Sequence, residues 1–422
     1  MALRSPNEEP RMSADTNPLQ VDTALLRQNP AFRNFIASRV LSSLAFNGTV
    51  VAIGWLVYDQ TRSAIALGLV GLVQFLPVLL LTFVVGPVAD RYDRRRIGLT
   101  CQVLEAITVG VMALGLWQGW LDTVGIFVGV AVLGCAIAFE RPTMSALLPG
   151  IVPPSALQHA IATSTSFMQA AIIVGPALGG LLYGLGPVVP FAVAALLFAG
   201  AGTCVMLIPR PAARTGREPL TLQSVFAGVS FIRSRPIILG TLSLDLFAVL
   251  LGSITSLLPI FARDILMAGP WALGFLRAAP AVGALIMSIW LARYRLERNV
   301  GMTMLGAVAV FGVFTIVFAL STNIVLSVAA LMVLGAADTV SVVIRSSLVQ
   351  LLTPDEMRGR VNAVNSLFIG ASNQLGDFES GLMAALLGPV GAGIVGGVGT
   401  LVIVGIWAWR FPALRKVQTL SG

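Results

Sequence analysis

Charge is scarce in this chain. Only 11% of its 422 residues are Asp, Glu, Lys or Arg, whereas soluble domains carry roughly a quarter. Lysine occurs once, at Lys416, and histidine once, at His159. Such a composition excludes an ordinary soluble domain. Cysteine is limited to Cys101, Cys135 and Cys204, all inside apolar runs. Their odd number and lack of ligand spacing predict packing residues, with no disulfide and no metal site. The G-x-x-x-x-G-K-[ST] run of an ATP-binding loop is missing. So is any arrangement of nucleophile and base. An enzyme is therefore not expected, and neither a catalytic residue nor a cofactor. His159 sits near one end of an apolar run, where an interfacial side chain is a simpler reading than a proton carrier.

Apolar residues fill the space that charge leaves, at 56% of the chain. At about 20 residues per crossing, this length holds about twelve membrane helices with short loops. The apolar runs fall near residues 34–58, 65–89, 97–118, 123–147, 156–183 and 187–208. Six more fall near 236–260, 271–292, 301–320, 324–348, 358–386 and 389–409. We number them spans 1 to 12. Closed helices are one of two ways to satisfy backbone groups in lipid, which predicts an all-α membrane protein. Residues 1–31 are polar and lack the apolar centre of a signal peptide, so a disordered tail is expected.

The net charge of +8 would suggest nucleic acid in a soluble protein. Here the arginines flank apolar spans and set orientation instead, so no nucleic-acid partner is expected. Alternate loops hold Arg91, Arg94, Arg95 and Arg96, then Arg210, Arg214 and Arg217, then Arg293, Arg295 and Arg298, then Arg358 and Arg360. The opposite loops show only Arg62 and Arg263. The basic side is predicted to be cytoplasmic, with both termini (the second from residue 411 to 422) on it. A linker is expected over 209–235, with an amphipathic surface helix within Leu220–Arg235.

The two sides of that linker repeat. A shift of 201 residues aligns Gly134 with Gly335, Pro153 with Pro354, Phe167 with Phe368, Gly175 with Gly376 and Gly180 with Gly381. Two six-helix bundles of equal topology, 32–208 and 236–410, follow from it.

The densest charge cluster is Gly86-Pro87-Val88-Ala89-Asp90-Arg91-Tyr92-Asp93-Arg94-Arg95-Arg96, between spans 2 and 3. It resembles the G-x-L-A-D-R-x-G-R-R loop of the major facilitator superfamily. Gly86, Ala89, Asp90, Arg91, Arg94 and Arg95 match, Val88 stands for Leu, and Asp93 replaces the second glycine. In span 5, Gly175-Pro176-Ala177-Leu178-Gly179-Gly180 is similar to the G-P-x-x-G-G signature of exporters in that superfamily, with Ala171 in place of its preceding glycine. Glu140-Arg141-Pro142, Leu147-Leu148-Pro149 and Arg358-Gly359-Arg360-Val361-Asn362 look like the drug and siderophore exporter branch, which includes enterobactin and macrolide exporters. The resemblance implies two pseudo-symmetric bundles around a cavity lined by spans 1, 4, 7 and 10, with help from 2, 5, 8 and 11. It also implies a conformational latch at Gly86, Asp90, Arg91, Arg94 and Arg95, with Asp90 facing the amino end of span 11. A purely topogenic cluster is the other reading. Gly175, Pro176, Gly179 and Gly180 are read as a helix-packing motif.

Charges inside spans are costly and therefore informative. By the resemblance, Glu140, Arg141, Arg277, Arg345 and Glu379 are cavity charges. Asp245, Asp338 and Asp377 are candidates for proton coupling, because burial disfavours the ionised form of a carboxyl group. The competing reading is a fixed ion pair, such as Asp338 with Arg345 on one face of span 10, or Glu140 with an arginine. Glu105 lies on span 3, which the resemblance makes peripheral. In span 11, Asn362, Ser366, Asn373, Asp377 and Ser380 share a face that needs a wet or protein-lined surface.

Taken together, these features predict a monomeric, multi-pass transporter of the bacterial inner membrane. Its expected partners are a small molecule, protons and lipid. Export of drugs or siderophores is the leading expectation. Movement of lysophospholipid or another solute, and a non-transporting sensor or scaffold, stay open.

Overall fold

The computed structural model describes residues 26, 28–210, 222–294 and 298–419, without the side chains of residues 83, 89, 90 and 222–225. The expected N-terminal tail lies largely outside these residues, as do the stretch 211–221 of the linker and the end of the C-terminal tail.

The described chain is helical, with no strand among the described residues. Spans 1 to 6 are the helices Pro30–Thr61, Ala64–Arg91, Arg94–Gln118, Thr123–Leu147, Leu157–Gly184 and Val189–Met206. Spans 8, 9 and 10 are Pro270–Arg293, Val300–Leu320 and Ile324–Leu352. The predicted surface helix is present as Leu222–Ser234, and its Ile232 packs with Val361 and Val364 at the start of span 11.

Among the described residues, eleven segments are long and apolar enough to cross a membrane, against the expected twelve. The last accounts for the difference. It runs Asp355–Arg410, about 84 Å at 1.5 Å per residue. One crossing needs only about 30 Å. Gly388 breaks it with φ 76°, a conformation that favours glycine. A Cβ on Gly376 would meet the Leu250 carbonyl oxygen at 3.0 Å, and one on Gly396 would meet the Leu251 carbonyl oxygen. Positions so far apart on one straight helix could not both reach the same turn of span 7. The segment therefore folds back at Gly388, and spans 11 and 12 form a hairpin.

Polar residues at the span ends start the helices. The Asn29 side chain accepts from the Ala31 and Phe32 amides at 2.9 and 3.2 Å, with Pro30 at the first helical position. Asp93 accepts from the Arg95 amide at 3.0 Å and caps span 3. Its departure from the loop pattern thus has a local cause, since aspartate caps a helix that glycine would leave less well capped. Asp122 and Asn323 cap spans 4 and 10 in the same way.

The repeat is visible in matched close approaches. Gly134 of span 4 touches the backbone of Gln74 in span 2, and Gly335 of span 10 touches the backbone of Pro280 in span 8. Gly175 meets Leu44 and Asn47 of span 1, and Gly376 meets Val249, Leu250 and Ser253 of span 7. Gly180 meets Pro270 and Gly274 of span 8, and Gly381 meets Ala64 and Gly68 of span 2. Each aligned glycine therefore admits the equivalent neighbour. The last two pairs join spans 5 and 8, and spans 2 and 11, across the middle of the molecule. The packing motif of span 5 works at this seam, where small residues let backbones meet.

Span 7 departs from expectation. A continuous helix over 236–260 is predicted, but the helix ends at Gly252 and Ser253 is extended, with ψ 129°. A 3-10 turn Thr255–Leu257, a short helical piece and a π-turn Phe261–Ile265 follow. Backbone freed at this depth must find side-chain partners. Span 11 supplies one, as Ser380 Oγ donates to the Ser253 carbonyl oxygen, and the broken segment bonds back, as Ser256 Oγ donates to the Asp377 carbonyl oxygen at 3.0 Å.

Candidate functional site

The molecule is closed at the end away from the basic loops. The seam glycines Gly180, Gly274, Gly381 and Gly68 all lie near that end. A clasp of charges reinforces them. Arg263, after span 7, bonds to Asp59 at the end of span 1. Asp264 accepts from the Tyr58 hydroxyl and faces Arg62 at 3.6 Å. The Arg263 guanidinium also lies over the Trp55 ring, 5.6 Å from its centroid. Sequence reasoning missed this clasp. Its signal was available, because Arg62 and Arg263 are the minority arginines on the non-basic side.

The basic end differs. Arg91, Arg96, Arg358 and Arg360 are exposed, and a Cβ on Gly86 or Gly359 would meet nothing within 4 Å. Arg94 donates to the Ala146 carbonyl oxygen at 3.0 Å, and Arg95 donates to the Met206 carbonyl oxygen. Both bonds stay within the first half. Asp90 lies in the last turn of span 2, and its side chain is outside the described residues. Polar side chains of span 5 (Thr165, Ser166) and span 11 (Asn362, Ser366, Asn373) are exposed between the ends. Such groups are costly against lipid and belong on a wet or protein-lined surface.

The clasp holds partly exposed pairs, with side-chain exposures of 25% and 46% for Arg263 and Asp59, and 55% and 40% for Arg62 and Asp264. Each such pair is worth about 0.2–1 kcal/mol. Arg263→Asp replaces attraction by repulsion towards both aspartates. We expect spin labels at Gln60→Cys and Met267→Cys to show an added long-distance population in that variant. Asp59→Arg combined with Arg263→Asp should remove it again. Identical distance distributions in all three proteins would mean that the clasp does not hold this end.

The in-span charges fall into three groups. In the second half, Arg345 of span 10 bonds to Asp245 of span 7, both buried. The spacing along span 10 suggested Asp338 as its partner, and the structure corrects that pairing. Asp338 and Arg345 are seven residues apart on one helix, which separates them by about two turns, whereas span 7 brings Asp245 alongside. Asp338 lies next to this pair, in a small cleft with Ser341, Ala248, Val249, Val308 and Phe311. The cleft points into the second half, against span 9.

The second group is at the break in span 7. Asp377 accepts from Ser253 Oγ at 2.7 Å. Arg277 of span 8 is the basic group whose charge it senses. Gly68 and Gly71 of span 2 leave room for the Asp377 turn. Glu379 is half-buried nearby in sequence.

The third group is in the first half. Glu140 accepts from Ser42 Oγ at 2.8 Å and from Gln102 Nε2 at 3.3 Å. No arginine bonds to it among the described residues, so the expected ion pair is replaced by neutral donors. Arg141 is exposed, stacked 5.4 Å from the Phe46 centroid. Glu105, which the resemblance made peripheral, is buried beside this group. No cluster able to hold a metal ion occurs among the described residues.

Comparison with known proteins agrees with this architecture. The chain is 26% identical to the enterobactin exporter EntS of Escherichia coli O1:K1 over 91% of this chain and 92% of the exporter. Among solved structures, a bacterial homologue of the human lysosomal transporter Spinster, inward-facing and occupied, superposes with a TM-score of 0.72 at 13% identity, over 94% and 97% of the two chains. A bacterial homologue of the iron transporter ferroportin, inward-facing, gives a TM-score of 0.67 at 18% identity, over 95% and 100%. The model of the transmembrane secretion effector family matches residues 22–420, and the chain belongs to that family of major facilitator transporters.

Proposed function

We propose that this transporter exports amphipathic small molecules of the siderophore or drug class in exchange for protons. The observation that carries the reading is the asymmetry of the two ends, one clasped across both halves and one open, above buried carboxyl groups. A chain caught closed at one end is what alternation between two six-helix bundles requires. We take the bundles as 32–208 and 236–410, joined by the 209–235 linker, acting as a monomer in the lipid of the bacterial inner membrane. The basic end is cytoplasmic in this reading, by its arginines. The name of the enterobactin exporter supports siderophores as the first class to test.

Asp338 and Asp377 are the first coupling candidates, because Asp245 already has Arg345. Gly86, Asp90, Arg91, Arg94 and Arg95 form the latch that would close the basic end once it meets span 11. Inside-out vesicles loaded to an acidic interior test the whole reading with a panel of catecholate siderophores and amphipathic drugs. A one-unit gradient is worth about 1.4 kcal/mol per proton, about tenfold in accumulation. We expect uptake to follow that gradient. Asp338→Asn should lose the gradient dependence and keep downhill counterflow, and Asp90→Asn should slow both. Accumulation that ignores the gradient would sink proton coupling.

A further inference from the structure

Glu105 is the least explained charge in the molecule. It lies in the middle of span 3, is 1% exposed, and its Oε2 has no hydrogen-bond partner among the described residues. Gln102, one turn earlier on the same face and 0% exposed, has the same defect at its Oε1. Its Nε2 is fully used, on Ser38 Oγ at 2.8 Å and Glu140 Oε1 at 3.3 Å. Both orphans are acceptors. Two buried acceptors without a donor cost free energy, and an ionised carboxylate costs more.

No cation forms an ion pair with Glu105 among the described residues. Span 1 offers Arg39, whose charge interacts with Glu140. Span 4 offers Glu140, a second negative neighbour, and Arg141, which is exposed and stacked on Phe46. On its own helix Cys101 is close. Span 6 packs along span 3 and carries no charged residue between Val189 and Met206.

The second half repeats this arrangement. The glycine contacts align Leu44 with Leu250 and Asn47 with Ser253. That shift places Arg39 on Asp245, the match of Gly98 and Thr100 with Gly301 and Thr303 places Glu105 on Val308, and the shift of spans 4 and 5 places Glu140 on Ser341. Asp245, Val308 and Ser341 all line the Asp338 cleft. Each half therefore gathers two carboxyl groups and one arginine within its spans: Glu105, Glu140 and Arg39 in the first, Asp338, Asp245 and Arg345 in the second. In neither set does every carboxyl group bond an arginine among the described residues.

We propose that Glu105, beside Glu140 and Gln102 in the first half, binds a proton, as the counterpart of Asp338 in the second. A proton on Glu105 turns an orphan acceptor into a donor, one helical turn from the orphan Gln102 Oε1, and removes a buried charge. The transporter then holds a proton site in its first half as well as in its second. Span 1 joins the first site to the clasp at Asp59, and span 7 joins the second to the clasp at Arg263. This deepens the proton-coupled reading above, but the site is tested without transport, so either can fail alone.

The test is infrared difference spectroscopy on purified full-length protein, following the carbonyl stretch of protonated carboxyl groups and its shift in heavy water. We expect one such band near neutral pH to vanish in Glu105→Gln, to move in Glu105→Asp, and to persist in Asp338→Asn. It should be the same in sodium and in choline chloride. Glutamine mimics a protonated glutamate and brings its own donor, so Glu105→Gln should melt no lower than wild type. A wild-type spectrum in Glu105→Gln, or a Glu105→Gln protein that fails to fold, overturns the proposal. Loss of the band on adding sodium would assign the site to a metal cation instead and also overturns it.

Discussion

Arg345→Met should be the most destabilising single substitution among the in-span charges. The Asp245–Arg345 pair is nearly dry, with side-chain exposures of 7% and 5%. Removing one partner of such a pair costs about 3–5 kcal/mol, because the other charge stays buried and uncompensated. The two partners are not equivalent here. Without Arg345, both Asp245 and Asp338 lack a cation in one cleft. Without Asp245, Arg345 still has Asp338 beside it. Asp245→Asn should therefore cost clearly less than Arg345→Met. The double variant should recover most of the loss, since no charge then lacks a partner except Asp338, which can take a proton. Thermal unfolding of the detergent-purified proteins measures all three. Equal losses in the two single variants, simply adding in the double, would mean that the pair is not coupled and that Asp338 plays no part.

The fold was largely legible because its signals are local or periodic. Apolar runs, arginine asymmetry and the 201-residue shift are read without knowing any contact. They placed the span boundaries, including the turn near Gly388, and they matched Gly134 with Gly335 before either was seen against its neighbour. The loop cluster between spans 2 and 3 identified the superfamily. What was not legible depends on which helix faces which. Arg345 shares a helix face with Asp338 in sequence, yet its bond goes to Asp245, one hundred residues away. Glu105 looked peripheral by span number, but the rotation of span 3 turns it onto Glu140. The break at Ser253 was hidden because Gly252-Ser253-Ile254-Thr255-Ser256 is uncharged, carries no proline and lies between two apolar runs. Only the polar stripe of span 11 hinted that a neighbour needed donors. The clasp of Asp59, Arg62, Arg263 and Asp264 joins residues 204 and 206 apart in sequence, and the lone arginines mark each loop without giving its partner.

Asp377→Asn should abolish gradient-driven export while leaving the protein folded. The side chain sits where three elements meet. It accepts from Ser253 Oγ across the break in span 7, its carbonyl oxygen accepts from Ser256 Oγ, and its turn lies against Gly68 and Gly71 of span 2. Span 2 belongs to the opposite half, so this carboxyl group touches both the seam and the weak point of span 7. The broken segment beyond Ser253 ends in Arg263 and Asp264, the second half's share of the clasp. A change of charge at Asp377 alters its attraction to Arg277 and its bond to Ser253, and so reaches the clasp through one short stretch of chain. Asparagine keeps an oxygen for Ser253 and loses the charge. Leucine loses both, and a hydrogen bond to a charged group is worth about 1.5–3 kcal/mol. We therefore expect Asp377→Asn to retain a near-wild-type melting temperature and downhill counterflow, with no response to an imposed pH gradient. Asp377→Leu should lose counterflow as well and melt lower, because Ser253 is then an unpartnered donor at the break. Ser253→Ala should resemble neither: it weakens the brace but leaves the charge, so gradient dependence should survive at reduced rate. If Asp377→Asn accumulated substrate along the gradient like wild type, the charge at this junction would be structural, and coupling would fall to the cleft that holds Asp338.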